Sequence, residues 1–247
     1  MNQRRVLVTG SSRGIGRAIA VRLAQNGWKV ALHSSESGPN IQRVAKELGD
    51  SYAGIYNLDL SNPSKAATLI EETLKDGPLH ALVNNAGVYL QSDFIETDDK
   101  AFLATLRRTF AINWESPLML SRAACRVFAK QGGGKILNVA SRVGFKGEAG
   151  ASLYSASKAA LINLTRSLSV ELAPKNIGVF GIAPGWVSTS MVRKEIESRT
   201  EEILSGIPAG RMATPEDCAT TAAFLLSDEA SYLTGQVVDI NGASYFH

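Results

Sequence analysis

The chain is poor in the residues on which several protein classes are built. It has two cysteines, Cys125 and Cys218, each in an apolar, helix-like setting. They read as small buried hydrophobes rather than as a disulfide, a ligand pair or a nucleophile. The three histidines, His33, His80 and His247, show no metal-site spacing, so no metal centre is expected. No apolar run approaches the ~20 residues of a membrane helix. No Lys/Arg run stands out, and a net charge of +3 spread along the chain is no footprint for nucleic acid. The strand pattern already under way by Arg5 predicts no signal peptide. A cytoplasmic protein with no membrane or nucleic-acid partner is expected. Also missing are a linker, an internal repeat and a break in composition, which predicts one domain over residues 1–247.

What the chain has instead is a steady alternation. Short apolar runs at 4–9, 28–33, 51–57, 79–83, 135–140, 177–183 and 236–240 read as strands. Helical patterns separate most of them, over 15–25, from Asn62-Pro63 onward, over 98–130, over 152–172 and over 213–227. This order predicts an α/β fold, a single Rossmann-like doubly wound parallel sheet of about seven strands with helices on both faces. In such sheets ligands bind beyond the carboxyl ends of the strands. The candidate site is therefore made of the segments just after the strands: the Gly10 loop, Asp59, Asn84-Asn85-Ala86-Gly87, Ser141 and Pro184-Gly185.

The first strand runs into Gly10-Ser11-Ser12-Arg13-Gly14-Ile15-Gly16 and then into a helix. A strand, a glycine-rich turn and a helix N-terminus make a phosphate site, because backbone N–H groups and the helix dipole face the anion. The glycines allow a tight turn and close approach of a pyrophosphate. Gly10, Ser12, Arg13, Gly14, Ile15 and Gly16 are candidate dinucleotide contacts. At the end of the second strand, NAD-binding folds carry an acid for the ribose 2′-hydroxyl. Here stand His33, Ser34 and Ser35, with Glu36 a position or two late. No acid is placed to repel a 2′-phosphate, and the planar fork of Arg13 with the hydroxyls of Ser34 and Ser35 suits one. NADP is expected in preference to NAD.

Tyr154 and Lys158 lie four apart in the run over 152–172, so a helix puts them on one face. A free phenol titrates near ~10. A neighbouring cation lowers that value and makes Tyr154 a candidate general acid or base.

In order and interval, Thr9-Gly10-x-x-x-Gly14-Ile15-Gly16, Asn84-Asn85-Ala86-Gly87, Asn113, Ser141, Tyr154-x-x-x-Lys158 and Pro184-Gly185 resemble a short-chain dehydrogenase/reductase from end to end. Within that family the chain is most similar to the 3-oxoacyl-acyl-carrier-protein reductases, through residues 8–20, Pro208-Ala209-Gly210-Arg211 and 224–235. The resemblance implies that Tyr154 donates a proton to a ketone oxygen while NADPH delivers hydride. It implies that Ser141 bonds the same oxygen, and that Lys158 lowers the Tyr154 pKa and bonds the nicotinamide ribose. Asn113, through its backbone carbonyl and a held water, would link Lys158 to a proton relay. Asp59 and Leu60 would flank the adenine, with Asn85, Ala86 and Gly87 on the adenosine side. Val187 and Thr189, after Pro184 and Gly185, would face the carboxamide and the pyrophosphate. The implied substrate is a 3-oxoacyl thioester of acyl carrier protein or CoA, and the implied assembly a homotetramer packed through the Asn113 and Tyr154 helices. Lys175 falls where such reductases meet the carrier protein, and Lys130 or Lys135 would stand in for a second basic residue.

The chain departs from that pattern at Phe180, at Gly242-Ala243 and in a longer segment before Asn113 that holds Arg107-Arg108. Residues 143–152 and 186–207 are expected to shape the substrate pocket, with Val143, Phe145, Trp186 and Met191 as its wall and Lys146 and Glu148 adding polarity. Residues 186–210 are expected to close as a lid. Two alternatives stay open: a dehydrogenase or reductase of another ketone, polyol or biosynthetic alcohol, and a non-catalytic NADP-binding regulator. The intact Tyr154/Lys158 pair speaks against the second.

Overall fold

A computed structural model describes residues 3–247, with the backbone alone described over 192–198. The chain opens with β1 (Arg5–Val8), α1 (Gly14–Gln25), β2 (Lys29–Ser34), α2 (Pro39–Leu48) and β3 (Tyr52–Asn57). It continues through α3 (Ala66–Lys75), β4 (Ala81–Asn84), α4 (Asp99–Phe110) and α5 (Ser116–Gln131) to β5 (Gly134–Val139). Then come α6 (Ser152–Leu172), β6 (Ile177–Pro184), α7 (Arg193–Ser205), α8 (Pro215–Leu225) and β7 (Val237–Ile240).

The seven strands form one parallel sheet in the order β3-β2-β1-β4-β5-β6-β7. The order reverses between β1 and β4, and a crevice opens at such a reversal. Successive side chains of a strand point to opposite faces, and here both faces are covered. Val6 and Val8 of β1 pack with Ile19 and Leu23 of α1 and Ala222 of α8. Leu7, between them, packs with Leu69 of α3 and with Leu120 and Phe128 of α5. In β4, Ala81 and Val83 face the first layer and Leu82 the second. Burial on both sides is why these strands read as unbroken apolar runs in the sequence. Truncating such a residue, Leu7→Ala for instance, costs about 2–5 kcal/mol.

One polar thread crosses the core below the crevice. Asn84 donates to Asn138 Oδ1 of β5 at 2.8 Å and to Ser121 Oγ of α5 at 3.0 Å. Asn138 in turn donates to Thr165 Oγ1 of α6 at 2.9 Å. Asn84 thus ties two strands to α5 and, through Asn138, to α6.

Two elements differ from the sequence-based expectation. The helix α2 is unforeseen, although its buried Ile41, Val44 and Leu48 hold helical spacing. The long helix expected over 98–130 is broken by a π-helical turn, Ala111–Glu115, between α4 and α5. Such turns occur mostly as single insertions and often at functional sites. Asn113 sits in this one. Among the described residues no helix is long and apolar enough to cross a membrane.

Candidate active site

The carboxyl ends of the strands open into one cleft of about 440 Å³, within the range of ligand pockets. Gly10, Ser12, Arg13, Gly14, Ile15 and Gly16 line it after β1, and Ser34 and Ser35 after β2. Asp59 and Leu60 come after β3, and Asn85, Ala86 and Gly87 after β4. Ser141, Tyr154, Lys158, Pro184 and Gly185 close the other end with Val187 and Thr189.

The glycine loop is held by close contacts. Gly10 has φ +63°, and a Cβ on Gly16 would stand 2.3 Å from both the Gly10 carbonyl and Asn85 Nδ2. Asn85 Nδ2 donates to the carbonyls of Thr9 and Gly10 at 2.8 and 3.1 Å. Thr9 Oγ1 accepts from the backbone N–H of Asn85 and of Ala86. Helix α1 then starts at Arg13 with no side-chain cap and no acid in its first turn. Its first N–H groups and the positive end of its dipole are left for an anion at the cleft, and this fits a pyrophosphate. Thr189 closes over the same loop, 3.5 Å from where a Gly14 Cβ would lie.

His33 is a member of this half to which the sequence assigns no role. It is 2% exposed. Its Nδ1 accepts from Gly10 N–H at 3.1 Å, and its Nε2 faces the Leu58 carbonyl at 3.0 Å. These partners select the neutral ring protonated at Nε2. Burial pushes its pKa down to about 4. The signal for it was its place, the end of the second strand. Ser34 differs from expectation: its hydroxyl donates to the Glu36 carbonyl at 2.7 Å and accepts from Asn57 at 2.9 Å. That leaves Ser35 and Arg13 as the exposed donors. The Arg13 guanidinium forms no ion pair among the described residues. The Asp59 carboxylate is held by Ser61 N–H and Ser61 Oγ, which lower its pKa.

The four expected catalytic residues come from the segment after β5, from α6 and from the π turn. Lys158 is buried and donates to the Val139 carbonyl at 2.8 Å, with Nζ 5.7 Å from the Tyr154 ring centre. Asn113 Oδ1 accepts from Val88 N–H at 2.9 Å, and its amide donates to the Val88 carbonyl and to Ser157 Oγ. This fastens the π turn to the segment that follows β4 and to α6. Ser141 Oγ reaches the Pro184 carbonyl at 3.5 Å. The Tyr89 ring meets Tyr154 edge-on at 5.0 Å.

The expected lowering of the Tyr154 pKa by Lys158 is not what the structure shows. Burial pushes the phenol up to about 12, opposed by a hydrogen bond from Ser141. Burial also pushes Lys158 down to about 8. Desolvation is the largest cause for both groups, because both are enclosed. Near neutral pH the pair is therefore phenol and ammonium, the forms that give a proton and hold an anion.

A smaller compartment of about 70 Å³ opens off Ser141 and Tyr154. Val143, Trp186 and Met191 line it as expected. Tyr89, Arg142 and Glu148 line it as well. Phe145 is corrected: its ring turns to the C-terminal tail, stacks on His247 at 3.6 Å and lines neither cavity. Lys135 is corrected too, because it is held by the Ser227 carbonyl and by Asp228 at 3.6 Å. Lys175 lies past the far end of α6, about 30 Å from Tyr154 at 1.5 Å per residue. It does not border this chain's own cleft.

Comparison with known proteins agrees with this geometry. A model of the short-chain dehydrogenase/reductase family, described as enoyl-(acyl carrier protein) reductase, matches residues 10–243. The 3-oxoacyl-(acyl-carrier-protein) reductase of Aquifex aeolicus is 38% identical over 97% of this chain and 96% of its own length. That of Escherichia coli is 36% identical, with the same coverage. A solved structure from Beutenbergia cavernae, described as a putative NAD(P)-dependent gluconate 5-dehydrogenase and holding NADP at low occupancy, superposes with a TM-score of 0.90. It is 36% identical and covers 98% of this chain and 96% of its own.

Proposed function

The chain belongs to the short-chain dehydrogenase/reductase family, and we propose that it uses NADPH to reduce the ketone of a 3-oxoacyl thioester to the 3-hydroxyacyl form. The observation that carries this is the meeting of Tyr154, Ser141 and Lys158 at one end of a cleft whose other end is an uncapped, glycine-walled helix N-terminus. The relatives that act on 3-oxoacyl carrier-protein substrates support the thioester. Two hydroxyls that converge on one point suit a carbonyl oxygen turning into an alcohol, rather than an alkene.

When bound, the reduced dinucleotide supplies hydride to the carbonyl carbon. Tyr154 Oη gives its proton to the carbonyl oxygen. The Ser141 hydroxyl bonds that oxygen and steadies the charge growing on it. The Lys158 ammonium steadies the phenolate left behind and has donors to spare for ribose hydroxyls. Asn113 fixes the turn from which a proton relay would refill Tyr154. Arg13 and Ser35 receive the 2′-phosphate, and no acid stands at the end of β2 to repel it. The NADP in the Beutenbergia structure supports this preference. Residues 186–210 close over the bound substrate, and the assembly is a homotetramer in the cytoplasm.

A second reading, a hydroxylated ketone or polyol as substrate, is favoured by the charged pair Arg142 and Glu148 in the compartment beside Tyr154. The test monitors NADPH and, separately, NADH absorbance with acetoacetyl-CoA. NADPH oxidation that Tyr154→Phe abolishes supports the thioester reading. Tight NADPH binding with no turnover retires it in favour of other ketones.

A further inference from the structure

Phe145 turns away from the substrate compartment and toward residues 244–247, which carbonyl reduction does not use. The chain arrives there by a sharp turn, with φ +60° at Gly242 and +65° at Ala243. Left-handed backbone is disfavoured for alanine and persists where the surroundings fix it. Here Asn241 Nδ2 donates to the Tyr245 carbonyl at 2.9 Å, and Ala209 N–H donates to the Gly242 carbonyl at 3.1 Å. Ser244, Tyr245 and His247 then meet the loop that follows Ser141. Arg142 Nη1 donates to Ser244 Oγ at 3.3 Å, and Tyr245 Oη donates to the Phe145 carbonyl at 3.5 Å. The His247 ring stacks on Phe145 at 3.6 Å, 12° from parallel. His247 Nδ1 lies 3.0 Å from Asp239 Oδ2 of β7, which anchors the ring to the sheet.

The loop over 142–148 is thus gripped from two sides. Helix α6 seats its first turn, where a Cβ on Gly144 would stand 2.6 Å from Ile162 Cδ1. The Phe145 side chain packs on Ala140, Ile162 and Val237, and Arg166 Cζ lies 5.5 Å from its ring centre. His247 then covers that ring. Arg142 carries the hold into the site. Its Nη2 donates to Glu148 Oε2 at 2.8 Å, and both side chains line the compartment beside Ser141 and Tyr154. A wall carried on a loop binds only while the loop is formed, so apparent affinity falls with the fraction formed. None of these contacts involves the Gly10 loop.

We infer that His247 is a positioning residue for substrate binding: stacked on Phe145, it keeps the loop 142–148, and with it the Arg142–Glu148 wall, in the form that receives the ketone. This rests on ketone reduction in the cleft and not on which ketone is reduced.

The test compares the full chain with His247→Ala, which removes the stacked ring, and His247→Phe, which keeps a ring and gives up the bond to Asp239. The first readout is amide hydrogen exchange at Gly144, Phe145 and Lys146, whose N–H groups donate to the carbonyls of Ser141 and Arg142 at 3.0 Å. The second is kcat and KM with NADPH and whichever of acetoacetyl-CoA and dihydroxyacetone the wild type reduces. In His247→Ala, exchange at these amides is expected to quicken about tenfold and the ketone KM to rise about tenfold, with kcat and the NADPH KM within about twofold. His247→Phe is expected to return both to within about threefold of wild type. Unchanged exchange and ketone KM in His247→Ala overturn the proposal. So does an equal rise in the NADPH KM, which marks general destabilisation, or a His247→Phe as impaired as His247→Ala. With neither ketone reduced, exchange decides alone: quickening in His247→Ala that His247→Phe reverses keeps the hold on the loop while the reduction reading falls. Ketone turnover with unchanged exchange does the reverse.

Discussion

On the dinucleotide side of the cleft the surface is mostly backbone: a turn at Gly10, the first N–H groups of α1, and Asn85 and Thr9 clamping them. On the substrate side it is mostly side chains on loops: Tyr89, Arg142, Glu148, Trp186 and Met191. The two sides meet at Tyr154 and Lys158. The difference reflects what each must recognise. A phosphate is served by N–H groups that nearly every residue has, so the requirement falls on glycines that let the chain come close. A substrate is told apart by side-chain chemistry, which loops can change without moving the sheet.

The sharpest way to separate the two sides is Tyr154→Phe. It removes the proposed proton donor and leaves the glycine loop intact, so turnover is expected to fall by about a hundredfold to ten-thousandfold, while NADPH binding, read by its fluorescence, stays. Loss of binding as well would break the division. Gly16→Ala attacks the other side. Its Cβ would overlap the Gly10 carbonyl and Asn85 Nδ2 at 2.3 Å, and NADPH binding is expected to weaken about tenfold or more, by the same titration. Arg13→Ser tests which dinucleotide that side prefers. The ratio of NADPH to NADH in kcat/KM is expected to fall by about tenfold, with NADH use little changed.

The smallest effect concerns His33, which joins the loop to the end of β3 through its neutral ring. Its pKa in the folded protein, about 4, lies below the ordinary 6.5. Between those values the unfolded chain binds more protons, so its contribution to stability is whole above pH 6.5 and is lost as pH falls toward 4. Melting temperatures measured across that window are expected to fall more steeply in the wild type than in His33→Gln.

The legibility of the two sides differs in the same way. The glycine spacing and the order of strand and helix were enough to predict the sheet and to bring the Gly10 loop, Asp59, Asn84 to Gly87, Ser141 and Pro184-Gly185 to its carboxyl edge. Tyr154 and Lys158 were readable because a helix repeats by geometry, and four residues return to one face. The direction of the Tyr154 pKa was not readable. The four-residue spacing shows that a cation is near, whereas the degree of burial depends on Tyr89, Ser141 and the loops around them. Phe145 was misplaced for a related reason: an aromatic near Ser141 in sequence can turn either way, and the C-terminal tail decided it by offering His247. Lys135 was taken by Asp228, a partner remote in sequence. The π turn at Asn113 was hidden because one inserted residue hardly disturbs an apolar pattern.

By itself, then, the sequence determined the parallel sheet, the dinucleotide loop and the residue types of the chemistry, since these arise from local periodicity and from the conformations that glycine alone allows. Tertiary structure decided the directions in which the pKa values of Tyr154 and Lys158 move, the seating of His33 against the glycine loop and the enclosure of Arg142 with Glu148. Each of these is set by desolvation and by partners brought together from separate segments, and none exists until the layers have packed.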